Sequence, residues 1–241
     1  MPHAYNRLMP KLLDTLELTG RSRTHVVQLE SPRLALHCDV VEPFLGLRAA
    51  AAAAGFDLVV SSGFRDFEAQ CGLWNRKFRG ERALLDEHGA EIDAAGLDDE
   101  QRVGHILRWS ALPGASRHHW GSEVDLFDAA AIPSGYRVQL VPDEFAPGGV
   151  FARLADWLEN HAPRHGFYRP YATYLGGVRP EPWHWSFATV AGAAMATLTP
   201  AIIAEAIAGA ELDGKAIVLN RLEAIYRQYV LAVASPPVLT A

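Results

Sequence analysis

Residues 181–185 read Glu-Pro-Trp-His-Trp, and no other stretch restricts the fold as much. Proline has no amide hydrogen and collides with a preceding helical turn, so a helix cannot run through position 182. Two tryptophans around one histidine suit a strand, where successive side chains point to opposite faces. The alternation predicts a strand over 183–187, with Trp183 and Trp185 on an apolar face and the His184 imidazole on the other. Glu181 then stands at the strand entrance, close to His184 but free of it.

A second segment, 116–125, reads Ser-Arg-His-His-Trp-Gly-Ser-Glu-Val-Asp. Gly121 lets the chain double back after His118. The alternation over 122–127 predicts a strand with Glu123, Asp125 and Phe127 on one face and Val124 and Leu126 toward a core. His118 and Asp125 can therefore face one point. Two imidazoles and a carboxylate suit a catalytic zinc ion, which takes three protein ligands and keeps a fourth position open. Taken singly, a histidine beside a tryptophan is more commonly a packed, hydrogen-bonded core residue, and the chain has ten histidines. The case therefore rests on the combination. His119 is adjacent to His118, and neighbouring side chains diverge. His161 and His165 have helical spacing, but Pro163 lies between them.

The third segment, 61–70, reads Ser-Ser-Gly-Phe-Arg-Asp-Phe-Glu-Ala-Gln and follows a short apolar strand at 56–60. Arg65 leaves a rigid break, and its planar fork can hold a carboxylate or an oxyanion. A surface arginine paired with Asp66 is the plainer alternative.

Composition excludes several classes. Of 241 residues, 49% are apolar and 21% charged, enough for a packed core and too apolar for disorder. A net charge of −6 argues against a bulk nucleic-acid or anionic-membrane binder. Two cysteines rule out a disulfide scaffold and a four-thiolate zinc cluster. Cys38 or Cys71 as a nucleophile has no evident basic partner in the local sequence. The uncharged stretch 182–204 is rich in alanine and interrupted by His184 and Pro200, which makes it a poor membrane span. Residues 1–7 lack the apolar run of a signal peptide. Cytoplasmic location is the expectation, or the cell envelope if a leader was removed.

The pattern predicts one α+β domain over 1–241. Helices are expected over 39–54, 66–79 (capped by Asp66), 81–94, 98–109 and 150–161, with a punctuated surface excursion over 133–149 and a short strand over 166–168. The core covers about 26–190, followed by a helical tail over about 199–233. There Pro200 opens one helix, and Asp213 caps another in which Val218, Leu222, Ile225 and Tyr229 share a face.

Together, Ser116-x-His118-x-x-Gly121-x-x-x-Asp125 followed by Glu181-x-x-His184 resembles the zinc D-Ala-D-Ala peptidases of the VanY and VanX type. These belong to the wider group of lysostaphin-like peptidases and the hedgehog fold. The Ser-Gly-Phe-Arg segment with Gln70 is similar to that family's Ser-Gly-Tyr-Arg-Ser…Gln stretch, and the resemblance covers 59–187. It implies a small, mainly antiparallel sheet flanked by helices. It further implies zinc (Zn2+) on His118, Asp125 and His184, Glu181 as general base, and Arg65 at the substrate carbonyl or carboxylate. Gln70 and Ser116 would bind substrate; for Ser116, bracing the turn is an equal alternative. The implied substrate is a peptidoglycan stem peptide or another peptide ending in D-Ala-D-Ala. The activity is that of a carboxypeptidase, with a D-Ala-D-Ala dipeptidase, an L-Ala–D-Glu type endopeptidase and a non-catalytic zinc-stabilised binding module as alternatives.

Two departures stand out. The family usually has alanine where this chain has Glu123, a carboxylate that can crowd the pocket or hydrogen-bond a ligand. The segment 81–109 reads as a helical insert near the mouth of the site, able to act as a lid. The helical tail lies outside the family core and suits a cap or an oligomer contact; the oligomeric state is open.

Overall fold

The computed structural model describes residues 12–236. The segment 1–7, on which the leader expectation rests, lies outside them. In chain order the elements begin with a helical turn α1 (Thr15–Leu18), a hairpin of β1 (Val26–Glu30) and β2 (Arg33–His37), α2 (Val41–Ala53), β3 (Leu58–Ser62) and α3 (Phe67–Phe78). Next come a short hairpin of β4 (Leu84–Leu85) and β5 (Glu91–Ile92), α4 (Asp99–Trp109), β6 (Glu123–Asp128), α5 (Pro142–Phe145) and α6 (Ala152–His161). The chain then forms β7 (Phe167–Tyr168), β8 (His184–Phe187), α7 (Ala188–Thr197), α8 (Pro200–Ala208), α9 (Lys215–Asn220) and α10 (Leu222–Ile225), and a π-helical turn over Tyr226–Val230 follows. This is the expected α+β class.

The central sheet is antiparallel, in the order β3-β6-β8-β7. Its register decides what each face carries. Val124 lies opposite Trp185, and Asp125 opposite His184. Residues directly opposite each other share a face. Val124, Leu126 and Trp185 therefore pack with Phe44, Leu47, Leu58, Leu154 and Phe167 in an apolar core under α2 and α6. Glu123, Asp125, His184 and Ser186 are left on the other face.

Above that face stands a second apolar cluster. It joins Trp74 of α3, Ile106 of α4, Ala191 of α7, Ile207 of α8 and Val218, Leu222 and Ile225 of the tail. The tail is thus packed into the same cluster as α3 and α4. Among the described residues no single helix is long and apolar enough to cross a membrane, and α7 and α8 meet at 81°.

Asp66 caps its helix as expected, accepting from the Ala69 amide; Asp98 accepts likewise from Gln101, and Thr199, just before Pro200, from Ile202. The segment 81–94 departs from expectation, forming a hairpin where a helix was expected. The Asp86 carboxylate accepts from the amides of His88 and Ala90 at 2.8 and 2.9 Å, a local capture that competes with helical hydrogen bonds and closes a tight turn. The tail departs too. Its second helix breaks at Arg221, and the residue before α9 is Gly214, at φ 71°, where a Cβ would lie 2.6 Å from the Phe78 ring. Asp213 pairs with Arg79 at 2.7 Å instead of capping. Val218, Leu222 and Ile225 are buried as expected, with Tyr229 packed partly against them.

Candidate active site

Three sequence segments meet over one face of the sheet. A 3-10 turn over Arg117–Trp120 ends at Gly121, which takes the left-handed φ of 66°. A Cβ there would sit 2.7 Å from the His37 amide nitrogen, so only glycine lets the chain turn directly into β6. The turn carries His118 back over the sheet toward Asp125. Its Nδ1 donates to the Gly63 carbonyl at 2.8 Å, since a carbonyl can only accept. Nε2 is thereby left facing Asp125 Oδ2 at 3.5 Å. Burial holds the His118 pKa down, at about 4, with Asp125 opposing the shift.

On β8, His184 Nδ1 lies 3.0 Å from Asp125 Oδ1, and Nε2 donates to Glu123 Oε2 at 2.8 Å. Burial disfavours its cation, but the hydrogen bonds and charges of Asp125 and Glu123 outweigh burial and push the pKa up to about 10. The His118 and His184 rings sit edge to face, centroids 5.0 Å apart. One ligand atom from each of His118, Asp125 and His184 lies within 4.8 Å of the others. Two imidazole nitrogens and one carboxylate oxygen converging in this way fit zinc, with a position left for a further ligand.

Glu181 reaches the same point by a route the alternation did not foresee. Residues 181–184 form a turn, in which the His184 amide bonds the Glu181 carbonyl at 3.2 Å, and β8 begins only at His184. The turn folds the Glu181 carboxylate back to 3.7 Å from His184 Nδ1. Burial raises the Glu181 pKa to about 7, with neighbouring Asp125 adding to the rise and His184 opposing it. A carboxyl near 7 can both take and return a proton at neutral pH. The same turn moves Trp183 off the expected apolar face. It packs on Phe145 and lines the cleft beside His184, while Trp185 alone enters the core under the sheet.

Arg65 also lines the cleft. Its Nη1 donates to Gln70 Oε1 at 2.7 Å and Nη2 to Ser62 Oγ at 2.8 Å, so its partners are neutral and Asp66 is not among them. Gln70 is fully buried, and its amide nitrogen donates to the Ala111 carbonyl at 2.7 Å. Both ends of that amide are engaged within the protein. Gln70 therefore braces Arg65 from behind, and it is not among the residues that line the cleft. Ser116 lines the cleft with a buried hydroxyl that has no hydrogen-bond partner among the described residues. It makes no side-chain cap to the turn that follows. His119 lies apart from the cleft. Its Nδ1 donates to the Arg65 carbonyl at 2.7 Å, and its Nε2 accepts from the Gly114 amide at 3.1 Å.

The cleft, of about 250 Å³, suits the end of a peptide better than a folded partner. Its other wall adds Lys77, Arg82, Leu85 and Trp109, and Tyr171 lies with its ring 4.9 Å from that of His184. Lys77 donates to Ser110 Oγ at 2.6 Å, and burial lowers its pKa to about 8. Sequence reasoning missed Lys77, because a lysine in the last turn of a helix ordinarily faces solvent. The burial of Arg117 was equally unforeseen; its Nη2 donates to Tyr168 and Ser186 at 2.8 and 2.7 Å.

Residues 33–190 match the family model for VanY, D-alanyl-D-alanine carboxypeptidase. A Haemophilus influenzae protein described as uncharacterized is 35% identical over 122 residues, half of this chain and 93% of that one. An Enterococcus faecalis D-alanyl-D-alanine carboxypeptidase is 29% identical over 157 residues, 64% of this chain. The match spans only 48% of the length of that enzyme. Among solved structures, VanYB in complex with D-alanine-D-alanine superposes with a TM-score of 0.52 at 24% identity, covering 70% of this chain and 79% of that one, a likeness in fold. With the family model matched across the sheet and all three segments, the chain belongs to the VanY D-alanyl-D-alanine carboxypeptidase family.

Proposed function

We propose that the chain is a zinc-dependent DD-carboxypeptidase that removes the last residue from peptidoglycan-type peptides ending in D-Ala-D-Ala. The observation that carries this reading is the convergence of His118, Asp125 and His184, with the Glu181 carboxylate 3.7 Å from a ligand nitrogen and outside the ligand set. When bound, zinc supplies Lewis acidity and lowers the pKa of water to about 7.

The remaining work falls to the protein's own side chains. Glu181 accepts the proton of the attacking water and delivers it to the leaving amine, a role its raised pKa suits. Arg65, held by Gln70 and Ser62, points its charge at the developing oxyanion or at the substrate carboxylate. The Ser116 hydroxyl, without a partner among the described residues, offers a hydrogen bond to the substrate terminus. Lys77, Arg65 and Arg82 on the cleft wall favour an anionic end. A binding module would need neither a buried base beside the ligands nor a braced arginine.

The test is Glu181→Gln, with metal analysis and kinetics on one preparation. Zinc should stay at about one per chain while turnover falls roughly 10²–10⁴-fold. Loss of zinc from the variant would show Glu181 to be a ligand. Unchanged turnover would remove it from the chemistry.

A further inference from the structure

We infer that Glu123 is the positioning residue of this metal site, holding His184 by Nε2 so that Nδ1 faces the point shared with His118 and Asp125. The inference rests on the zinc reading given above. Glu123 departs from the alanine expected at its position, and it is fully buried. Its register opposite Ser186 fixes it on the site face, one pair along from Asp125 and His184. Oε2 accepts from His184 Nε2 at 2.8 Å. Oε1 accepts from Ser122 Oγ at 2.9 Å and from Ser186 Oγ at 2.7 Å, and it faces Arg117 Nη2 at 3.3 Å.

This arrangement separates Glu123 from the ligands. Oε1 is engaged by two hydroxyls and a guanidinium, and Oε2 lies on the ring edge away from Asp125. An imidazole can bind a metal through either nitrogen, and the partner of one nitrogen decides which lone pair is offered. His118 is set by a neutral partner, the Gly63 carbonyl on its Nδ1. His184 is set by a charged one, which makes the imidazole a stronger donor than a carbonyl would. Arg117 balances the Glu123 charge, so the basicity of His184 rises without added net charge at the site.

The experiment uses the full chain as wild type, Glu123→Gln and the double variant Arg117→Gln/Glu123→Gln. Each is titrated with zinc against a chromophoric chelator, and its Co2+ visible spectrum and metal-free thermal unfolding are recorded. Glu123→Gln should bind zinc roughly 10–100-fold more weakly and show altered Co2+ bands. The double variant removes both charges of the buried pair and guards against misfolding of the single one. It should fold and keep the weakened binding. Recovery of full affinity in the double variant would mean that Glu123 only neutralises Arg117, and would overturn the inference. So would wild-type affinity and spectrum in a folded Glu123→Gln. Wild type without tight zinc binding would instead overturn the zinc reading, and this inference with it.

Discussion

The two walls of the cleft are held by different physics. The sheet wall presents polar groups, and in the buried set of Glu123, Arg117, His184, Ser186 and Tyr168 each is fixed by hydrogen bonds to the others. The helical wall is held by apolar burial behind it, with Trp74 of α3 fully buried in the cluster it shares with the tail, and with Lys77, Arg82, Leu85 and Trp109 among the residues turned to the cleft. Geometry for chemistry comes from hydrogen bonds that fix direction, whereas a wall that only bounds a substrate needs bulk. The difference predicts that damage to the two walls is felt in different measurements.

The largest effect is expected from Trp74→Ala. Truncating a fully buried tryptophan costs about 3–5 kcal/mol, to be read by denaturant unfolding. The folded protein should still bind zinc as wild type does. A zinc affinity that falls in parallel with stability would mean that the two walls are one cooperative structure.

Next is Arg65→Lys. Lysine keeps the charge but cannot donate to Gln70 and Ser62 as a fork. The specificity constant on a free-carboxylate peptide should fall by about 10–10³-fold, a loss of roughly 1.4–4 kcal/mol of transition-state binding. Comparing the acid with its amide separates the two roles. Equal losses on both place Arg65 at the oxyanion, and a loss confined to the acid places it at the carboxylate. No loss on either makes it structural.

Lys77 sharpens the comparison from the other wall. Its folded pKa of about 8 lies below the ordinary lysine value of 10.5, so between these values the unfolded chain binds more protons and stability rises with pH. Below pH 8 the native state carries the full cost of the desolvated ammonium. Lys77→Met should therefore stabilise the protein at pH 7 by about 1–3 kcal/mol after discounting for partial exposure. The gain should shrink to nothing as pH climbs from 8 to 10.5. The KM for a carboxylate-ended peptide should rise in the same variant, because the cleft loses a cation. A gain that persists above pH 10.5 would assign the stabilisation to packing.

The smallest effect concerns the β4–β5 hairpin, whose Leu85 lines the cleft. Shortening the turn over 86–90 should raise activity on large muropeptides relative to dipeptides. An unchanged ratio would leave the hairpin a packing element only.

The same contrast governs what the sequence could reveal. The sheet wall was legible because its chemistry is local. Alternation over 122–127 put Glu123 and Asp125 on one face, and register then placed His184 opposite Asp125. The turn at 181–184 hid behind Pro182: ruling out a helix suggested a strand, while the four-residue turn that aims Glu181 comes from a tertiary fit. The helical wall was less legible. Charged residues over 81–94 favour a helix intrinsically, yet Asp86 closes a hairpin by capturing two amides. The place of Lys77 in the cleft depends on Ser110, 33 residues away in sequence. The resemblance pointed to Gln70 and Arg65 together, but only the geometry shows one bracing the other.

The proposed activity is tested most directly by mass spectrometry of products. The zinc-loaded full chain and its Glu181→Gln variant are incubated with a muropeptide ending in D-Ala-D-Ala. Wild type should release one terminal D-alanine and leave the shortened peptide otherwise intact, and the variant should release almost none. Release of the D-Ala-D-Ala dipeptide, cleavage between L-alanine and D-glutamate, or no product from zinc-loaded wild type would contradict it.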